Sequence, residues 1–398
     1  VREKMAEGDV GGLSGSVLYK DNVLWSNSYG YMEPASNQSS KCTEDTIFML
    51  ASISKTIMSV AIMELYEKTL FALDDDVNLY LPFVVQNPYY PQNPITVRML
   101  LTHTSTINDD GYLSHFSDYY TLGDSSTPLG YFLYNYLTPL GSHYNKSSNF
   151  FDSKPGEHYS YSNVGATLAA FLVEGILYTK EGQETHFYTE TQKNIFTPLQ
   201  MDESFWHLEN FTDTGSYSNI ATPSSYADGS FDSICQYGYP DYPSGALRTS
   251  EKQLHRFFGM FINNGTWQGT TLLSPETVEL MSTIQPGLEE EGQALVWYYK
   301  KQHSRTLLGH SGGDFGVATD MFFNPQSQVG FIILTNGDWS QPGFLKAITE
   351  IENFLLDIFD PIQSTRSTED LLLSSQNKQR AKPLTSIEEI CTQPWLYY

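Results

Sequence analysis

The sequence contains few basic residues, and this shortage excludes several classes of partner. Lysine and arginine together number 22, against 46 aspartate and glutamate residues, which gives a formal net charge of -24. A chain this acidic repels polyanions, so we predict no binding to nucleic acid or to an anionic membrane surface. The simplest interpretation of the acidity is solubility in an acidic or salty compartment.

Long apolar runs and clustered metal ligands are also missing. The longest apolar segments, 164–177 and 329–334, are too short to span a bilayer and indicate a core helix and a core strand. Cys42, Cys235 and Cys391 fit no zinc or redox spacing. They leave open either one disulfide with a free thiol or three free thiols. No Cys/His cluster and no H-E-x-x-H motif occurs, so we predict no metal and no cofactor.

The composition is that of a large globular protein. The 398 residues are 40% hydrophobic and 14% aromatic, which is enough to bury a sizeable core. The chain opens with Val1 without a visible signal peptide, and we expect that a leader has been removed or is left out of this sequence. Stretches typical of turns hold four Asn-x-Ser/Thr sequons, which predict a secreted or lumenal eukaryotic glycoprotein. The sequon asparagines are Asn37, Asn145, Asn210 and Asn264.

Hydrophobic periodicity predicts strands near both ends of the chain and helices between them. The predicted strands are 16–19, 23–29, 318–323 and 329–335, and the predicted helices are 54–70, one beginning near 96, 164–177, 250–263 and 344–359. The economical architecture is an α/β (α+β) fold built from both termini, with an inserted helical domain. Its expected boundaries are 1–60 with 245–360 for the α/β part, 61–244 for the insertion and 361–398 for a polar tail.

Residues 108–154 differ from the rest of the predicted insertion. They are rich in Tyr, Phe, Gly and Ser and show no steady periodicity. We predict a long segment with little regular structure, and its aromatic content argues against disorder.

The first motif with chemical potential is Ser52-Ile-Ser-Lys55, at the start of a predicted helix. Residues three apart share one helix face, so the Lys55 amine would lie against the Ser52 hydroxyl. The helix N-terminus adds positive potential, and a neutral Lys55 could take the serine proton. Ser54 would point elsewhere, as a local cap. A surface lysine after a capping serine is the ordinary alternative.

Two later motifs carry groups that would suit the same chemistry. Tyr161-Ser-Asn163 follows a Pro-Gly turn, and a short extended stretch would place Tyr161 and Asn163 on one side. A phenol near a lysine can serve as general base, and an amide can hold a substrate carbonyl. In His310-Ser-Gly-Gly313, the glycines allow close approach and a free N–H can donate to an oxyanion. The alternatives are a tyrosine-rich packing loop and a simple turn.

The order Ser-x-x-Lys, Tyr-x-Asn and His-x-Gly resembles the serine β-lactamase and penicillin-binding protein superfamily. The closest likeness is to class C β-lactamases, D-alanyl-D-alanine carboxypeptidases and related esterases and peptidases. Segments 95–105, 154–163 and 195–201 are also similar to this family, and the resemblance covers roughly 12–359. It implies a β-lactamase/transpeptidase-like fold, in which helices flank an antiparallel sheet built from the N- and C-terminal segments.

The resemblance also implies a function and a role for each motif. The protein would be a serine hydrolase that cleaves an ester or amide of a small-molecule or peptide substrate through an acyl-enzyme. Ser52 would be acylated, and Lys55 and Tyr161 would share the proton transfers. The substrate would be bound by Asn163, His310, Ser311, Gly312 and Gly313, with the N–H groups of Ser52 and Gly313 as oxyanion hole.

Two departures from the family pattern bear on specificity. His310 stands where lactamases often carry lysine, which favours an esterase or peptidase over an enzyme that destroys β-lactams. Thr106 stands where the family often has glycine. The segment 108–154 occupies the place where family members vary their substrate pocket.

One rival interpretation of the motifs is excluded, and another remains open. Gly309-His-Ser311-Gly-Gly313 matches the nucleophile elbow of α/β-hydrolases, but no histidine follows position 310 and a strand is predicted next. The α/β-hydrolase interpretation of this motif is therefore excluded. Isolated histidines such as His103 are expected to be polar core or surface residues. A catalytically quiet protein that uses the fold for binding or assembly remains open.

Overall fold

The computed structural model describes residues 1–36, 38–340 and 342–361. Its strands are β1 Gly12–Tyr19, β2 Asn22–Gly30, β3 Ile47–Met49, β4 Thr121–Leu122, β5 Ser224–Ala227, β6 Ser230–Ser233, β7 Tyr237–Gly238, β8 Arg248–Ser250, β9 Thr266–Trp267, β10 Thr270–Thr271, β11 Tyr298–Gln302, β12 Arg305–Asp314, β13 Val317–Asn324 and β14 Val329–Thr335. The predicted strands near both ends of the chain are confirmed.

Six of these strands form one antiparallel sheet in the order β11-β12-β13-β14-β1-β2. Strand β1 pairs with β14 from Leu13↔Thr335 to Tyr19↔Val329, so the two ends of the chain meet in the middle of the sheet. The remaining strands pair as short two-stranded ribbons. This sheet and the many helices around it confirm the predicted fold class.

The helices lie mainly between the two groups of sheet strands. They are α1 Arg2–Glu7, α2 Ser54–Glu67, α3 Val97–Leu101, α4 Asp110–Ser114, α5 Phe116–Tyr119, α6 Leu129–Leu137, α7 Lys146–Asn149, α8 Asn163–Glu181, α9 Phe187–Thr191, α10 Leu208–Thr214, α11 Glu251–Ile262, α12 Pro275–Ser282 and α13 Pro342–Phe359. Short 3-10 turns cover Ala51–Ile53, Val77–Leu79, Tyr217–Asn219 and Tyr242–Ser244, and a π-helical turn covers Gln192–Phe196. No helix in this part of the chain is long and apolar enough to cross a bilayer.

The sheet is covered on both faces. Helices α1 and α13 pack on one face through Met5, Phe344 and Ile348, which meet Phe331 and Ile333 of β14. Helix α11 packs against β1 and β14 and belongs to the larger core on the opposite side. The inner strands β1, β12, β13 and β14 are therefore largely buried between two apolar layers, which stabilises their register, whereas the edge strands β2 and β11 stay half-buried or exposed.

Helix α2 is the central element of the larger core. Eleven of its residues, from Ser54 to Leu65, are buried, so most of the helix is enclosed on every side. The Trp297 indole donates a 3.2 Å hydrogen bond to the Ser59 hydroxyl and stacks on Phe261, with 3.8 Å between the ring centroids. These contacts fix α2, which carries Lys55, against the segment that leads into β11.

The segment 108–154 contains more regular structure than we predicted. It forms four short helices, α4 to α7, together with β4. None of these helices exceeds nine residues, which is too short for a steady apolar repeat to show in the sequence. The aromatic side chains order the segment instead: the Tyr136 hydroxyl donates to the Asn108 carbonyl and accepts from the Tyr112 amide.

Several sequence expectations concern sites on the surface or beyond the described residues. Asn145 and Asn264 are exposed in turns or at a helix start, but Asn210 lies inside α10, so its predicted turn was wrong. Asn37, Cys391 and all but the first residue of the predicted tail lie outside the described residues. Cys42 is a buried free thiol.

Candidate active site

Ser52 lies in a 3-10 turn at the entrance to α2. The turn covers Ala51–Ile53, and α2 follows directly at Ser54. Ala51 has a φ of 47°, in the left-handed region that a residue with a Cβ rarely adopts. Such strain persists only where the surrounding structure holds it, and it often occurs at functional sites. The Ser52 side chain is half-buried, so solvent reaches it at the end of a helix that is otherwise enclosed.

Lys55 is fully buried and faces Ser52. Its Nζ donates three hydrogen bonds, to Ser52 Oγ at 3.0 Å, Asn163 Oδ1 at 2.8 Å and the Ser244 carbonyl at 2.6 Å. An ammonium has three N–H donors, and all of them are used here. The geometry thus fixes the lysine nitrogen beside the serine oxygen, as the S-x-x-K spacing predicted.

The environment of Lys55 makes its proton easy to remove. Burial lowers the pKa of Lys55 from 10.5 to about 7, against the opposing attraction of the carboxylates of Asp241, Asp109 and Asp314. Because the charged form of a buried amine loses its hydration, the neutral form becomes available near neutral pH. A neutral amine within hydrogen-bond distance of a serine hydroxyl is able to act as its general base.

Tyr161 and Asn163 reach the same serine and lysine from a distant part of the chain. The Tyr161 hydroxyl lies 2.8 Å from Ser52 Oγ, and its ring centroid is 5.0 Å from Lys55 Nζ. We predicted an extended stretch through Asn163, and this was wrong, because Asn163 is the first residue of α8. Ser162 is the cap, and its Oγ accepts from the Gly165 amide. The helix start directs the side-chain amide oxygen of Asn163 toward Lys55.

Two residues that the sequence did not single out position this segment. The half-buried Asp109 carboxylate accepts hydrogen bonds from the backbone N–H of Asn163 and from the Ser162 hydroxyl, and so holds the start of α8. His103 is buried, and its ring lies 4.4 Å from the Tyr161 ring between centroids. His103 Nδ1 accepts from the Ser162 amide at 3.2 Å. His103 is therefore a core residue, as expected of an isolated histidine, but one that packs on the site.

Strand β12 forms another side of the candidate active site, against the turn that carries Ser52. A Cβ added at Gly312 would clash with the Leu50 carbonyl oxygen and lie 3.1 Å from the Ser52 amide nitrogen. The strand therefore passes as close to the serine turn as a backbone can, which only glycine allows. Gly313, the next residue, is exposed beside this contact. The edge of β12 therefore lies directly against the serine turn, and its role in oxyanion binding stays a prediction.

Substitution of Gly312 by alanine tests this close approach. The methyl group would push β12 away from the serine turn, and overpacking of this kind costs about 1–3 kcal/mol. We expect thermal unfolding of Gly312→Ala to shift to lower temperature. Gly343→Ala is the control, because the nearest atoms to its added Cβ are 3.8 Å away and it lies in α13. Equal melting temperatures for the two variants would contradict the close packing of β12 on the serine turn.

His310 and Ser311 occupy different faces of β12. The His310 ring is buried between Tyr161 and Tyr298, at centroid distances of 6.4 and 5.3 Å. Burial and the nearby Lys55 lower the pKa of His310 to about 3, so the imidazole is neutral. Ser311 points to the other face, where its Oγ accepts from the Tyr298 hydroxyl at 3.0 Å. Its side chain is not among the groups brought to Ser52.

The structure also bears on the expectations for Ser54 and Thr106. Ser54 does not cap α2, because its Oγ accepts instead from the Leu247 amide at 3.3 Å. Thr106 has a φ of 68°, which explains why glycine suits this position. The Thr106 hydroxyl accepts a 2.7 Å hydrogen bond from Asn87, which offsets part of the backbone strain.

The fold agrees with comparisons to known proteins. The family model described as Beta-lactamase matches residues 1–354, and the chain belongs to this family. The protein is 22% identical over 357 residues to Beta-lactamase-like protein 2 of Dictyostelium discoideum, covering 88% of this chain and 61% of that one. The chain thus spans less than two thirds of the length of this curated relative.

Solved structures show the same fold at low identity. The octameric penicillin-binding protein homologue from Pyrococcus abyssi aligns with a TM-score of 0.67 at 23% identity, over 89% of this chain and 75% of that one. EstCE1, a hydrolase with promiscuous acyltransferase activity, aligns with a TM-score of 0.65 at 18% identity, over 88% of this chain and 96% of that one. The resemblance predicted from the three motifs is confirmed at the level of the superfamily.

Proposed function

We propose that this protein is a serine hydrolase that cleaves an ester or amide through an acyl-enzyme on Ser52. One observation carries the proposal: the Lys55 amine and the Tyr161 hydroxyl both lie within hydrogen-bond distance of Ser52 Oγ, at 3.0 and 2.8 Å. A nucleophile in contact with a base and a second proton carrier is the arrangement that covalent catalysis needs.

In the acylation step, Ser52 Oγ forms a bond to the substrate carbonyl carbon while its proton passes to neutral Lys55. Burial raises the pKa of Tyr161 well above its usual value, so the phenol keeps its proton and acts as a relay rather than a standing base. When the tetrahedral intermediate collapses, the bond to the leaving alcohol or amine breaks. The proton held at Lys55 then passes through Tyr161 to that leaving group.

Deacylation reverses these transfers with water as the nucleophile. Water attacks the acyl carbon, gives its proton to the Lys55 and Tyr161 pair, and Ser52 recovers a proton as the acid leaves. Negative charge on the carbonyl oxygen would be stabilised by the backbone N–H groups of Ser52 and Gly313. Asn163, already bonded to Lys55, would orient the substrate. The named acyltransferase activity of EstCE1, a neighbour of the same fold, supports a shared acyl intermediate.

The proposal is tested by turnover of chromogenic substrates. We expect a p-nitrophenyl ester, a D-amino-acid p-nitroanilide or both to give a burst of p-nitrophenol or p-nitroaniline equal to the enzyme concentration. Slower hydrolysis of nitrocefin is expected, because the neutral His310 replaces the cationic lysine that is common in lactamases. Absence of a burst and of turnover with every substrate would favour the catalytically quiet alternative.

The pH dependence of acylation follows from the lowered pKa of Lys55. Because the neutral amine is the active form, kcat/KM for a neutral ester should fall about tenfold for each pH unit below about 7. The slope should lessen below about 6, where Asp241 takes a proton and no longer raises the pKa of Lys55. A p-nitrophenyl alkanoate is suitable because its acyl group does not titrate. A flat profile from pH 5 to 8 would contradict the assigned base.

A further inference from the structure

Asp314 lies beside the candidate active site, where its charge helps to raise the pKa of Lys55, but it makes no contact with the groups that carry out the proposed reaction. It is the residue after Gly313 on β12, and it is half-buried. Side chains of a strand alternate, so Asp314 projects to the same face as His310 and Gly312. The Cβ position of Gly312 is 3.1 Å from the Ser52 amide. From position 312 to position 314 the strand advances by about 7 Å. Asp314 therefore lies at a distance from Ser52 that a short acyl chain can span.

The hydrogen-bond partners of the Asp314 carboxylate are neutral. It accepts hydrogen bonds from the Phe315 amide at 2.8 Å, the Tyr239 hydroxyl at 3.1 Å and the Tyr120 hydroxyl at 3.4 Å. Among the described residues, no lysine, arginine or histidine forms an ion pair in direct contact with it, and Lys55, whose pKa the Asp314 charge helps to raise, makes its hydrogen bonds to other groups. A carboxylate held in place by phenols, without a cation of its own, can pair with a cation from outside.

Aromatic rings surround this carboxylate. Phe116 packs on Tyr120 with 4.0 Å between ring centroids, and Phe116 and Phe315 are 5.2 Å apart. Tyr239 lies 4.8 Å from Tyr120. Phe116 and Phe315 are only half-buried, so this group of rings is open to solvent next to the exposed Gly313. Phe116 and Tyr120 come from the segment 108–154.

We infer that the acyl part of the substrate carries an organic ammonium group, held by the Asp314 carboxylate and the rings of Phe116, Tyr120 and Phe315. Carboxylates and aromatic faces together bind alkylammonium cations, because the charge is neutralised while its methyl or methylene groups pack on the rings. The inference rests on the proposed hydrolase function, since it names the substrate class of the same site.

A matched pair of esters tests the inference. The p-nitrophenyl ester of 4-(trimethylammonio)butanoic acid carries a permanent charge, and the p-nitrophenyl ester of 5,5-dimethylhexanoic acid is its neutral isostere. Each kcat/KM is divided by the rate constant for spontaneous hydrolysis of the same ester, which removes the higher intrinsic reactivity of the charged one. We expect this corrected kcat/KM of the native protein to be at least about tenfold higher for the charged ester.

Variants separate a local ion pair from the overall acidity of the chain. We expect Asp314→Asn to lower the ratio of the two corrected kcat/KM values by about tenfold, and we expect Asp118→Asn to keep the ratio within about twofold. Asp118 is the matched control because it is an exposed carboxylate of the segment 108–154, which also supplies Phe116 and Tyr120. It is paired at 3.3 Å with His115. If Asp314→Asn does not fold, the ratio of the native protein tests whether an ammonium group is preferred, and the effect of Asp118→Asn on that ratio tests whether the exposed acidity of the chain accounts for it.

The outcomes distinguish the two proposals. Equal corrected kcat/KM values for the two esters would overturn the ammonium inference and leave the hydrolase function standing. A preference that Asp118→Asn reduces as much as Asp314→Asn would overturn the assignment to Asp314. Failure to hydrolyse either ester, together with failure of the uncharged and amide substrates, would overturn the proposed function and the inference with it.

Discussion

Replacing Ser52 by alanine is expected to lower kcat/KM by at least about 10⁴-fold, to the limit of detection. The reason is that the acyl-enzyme cannot form without the hydroxyl, and removal of a nucleophile commonly costs this much or more. Ser52 is half-buried and its oxygen accepts bonds only from Lys55 and Tyr161 among the described residues, so the fold should persist. The measurement is ester hydrolysis with thermal unfolding of the same preparation.

Ser54→Ala is the matched control for this variant. Ser54 is buried two residues further along, and its hydroxyl accepts from the Leu247 amide rather than from any catalytic group. Its loss leaves a buried N–H unsatisfied, which costs about 1–3 kcal/mol. We therefore expect Ser54→Ala to be less stable but active, and Ser52→Ala to be stable but inactive. The reverse pattern would show that the wrong serine was assigned.

Replacing Lys55 by methionine is expected to lower kcat/KM by about 10³-fold, within the range that general-base catalysis contributes. Methionine fills the volume of the lysine stem without the amine, so Ser52 remains but its base is lost. The substitution leaves the Ser244 carbonyl and Asn163 Oδ1 without their donor. It also removes a buried charge, and these two effects oppose each other in stability. Pre-steady-state measurement of the burst isolates the acylation step.

Lys68→Met provides the control for loss of a cation. Lys68 is the exposed C-cap residue of the same helix, at the end of α2 opposite to Ser52 and its partners. Its replacement should leave kcat/KM within about twofold. Should Lys55→Met retain the burst rate of the native protein, the base must be another group, and the role given to Lys55 would have to be abandoned.

The sequence predicted those parts of the site that depend on local spacing. A separation of three residues places Lys55 against Ser52 on any helix that starts there, and the structure has that contact at 3.0 Å. The glycines at 312 and 313 likewise predicted a close backbone approach. The meeting of Tyr161 with Ser52 depends on how distant segments pack, and only the order of the motifs in a known family predicted it.

Other parts of the site could not be predicted, because they depend on tertiary contacts without a local pattern. Asp109 holds the start of α8 from a position 54 residues away, and His103 packs on Tyr161 from a similar distance in sequence. Nothing near either residue marks it as different from other acidic or histidine residues. The extended stretch expected at Asn163 is wrong because Ser162 caps α8 there, and one serine in a tyrosine-rich stretch is a weak signal for a helix start.

Mass spectrometry after reaction with a fluorophosphonate tests most directly whether Ser52 is an activated nucleophile. The native protein should gain one phosphonyl group, and peptide mapping should place it on Ser52. Ser52→Ala should remain unmodified, and Ser54→Ala should be labelled as the native protein is. Labelling at another residue, or no labelling of a folded native protein, would contradict the assignment of Ser52 as the nucleophile.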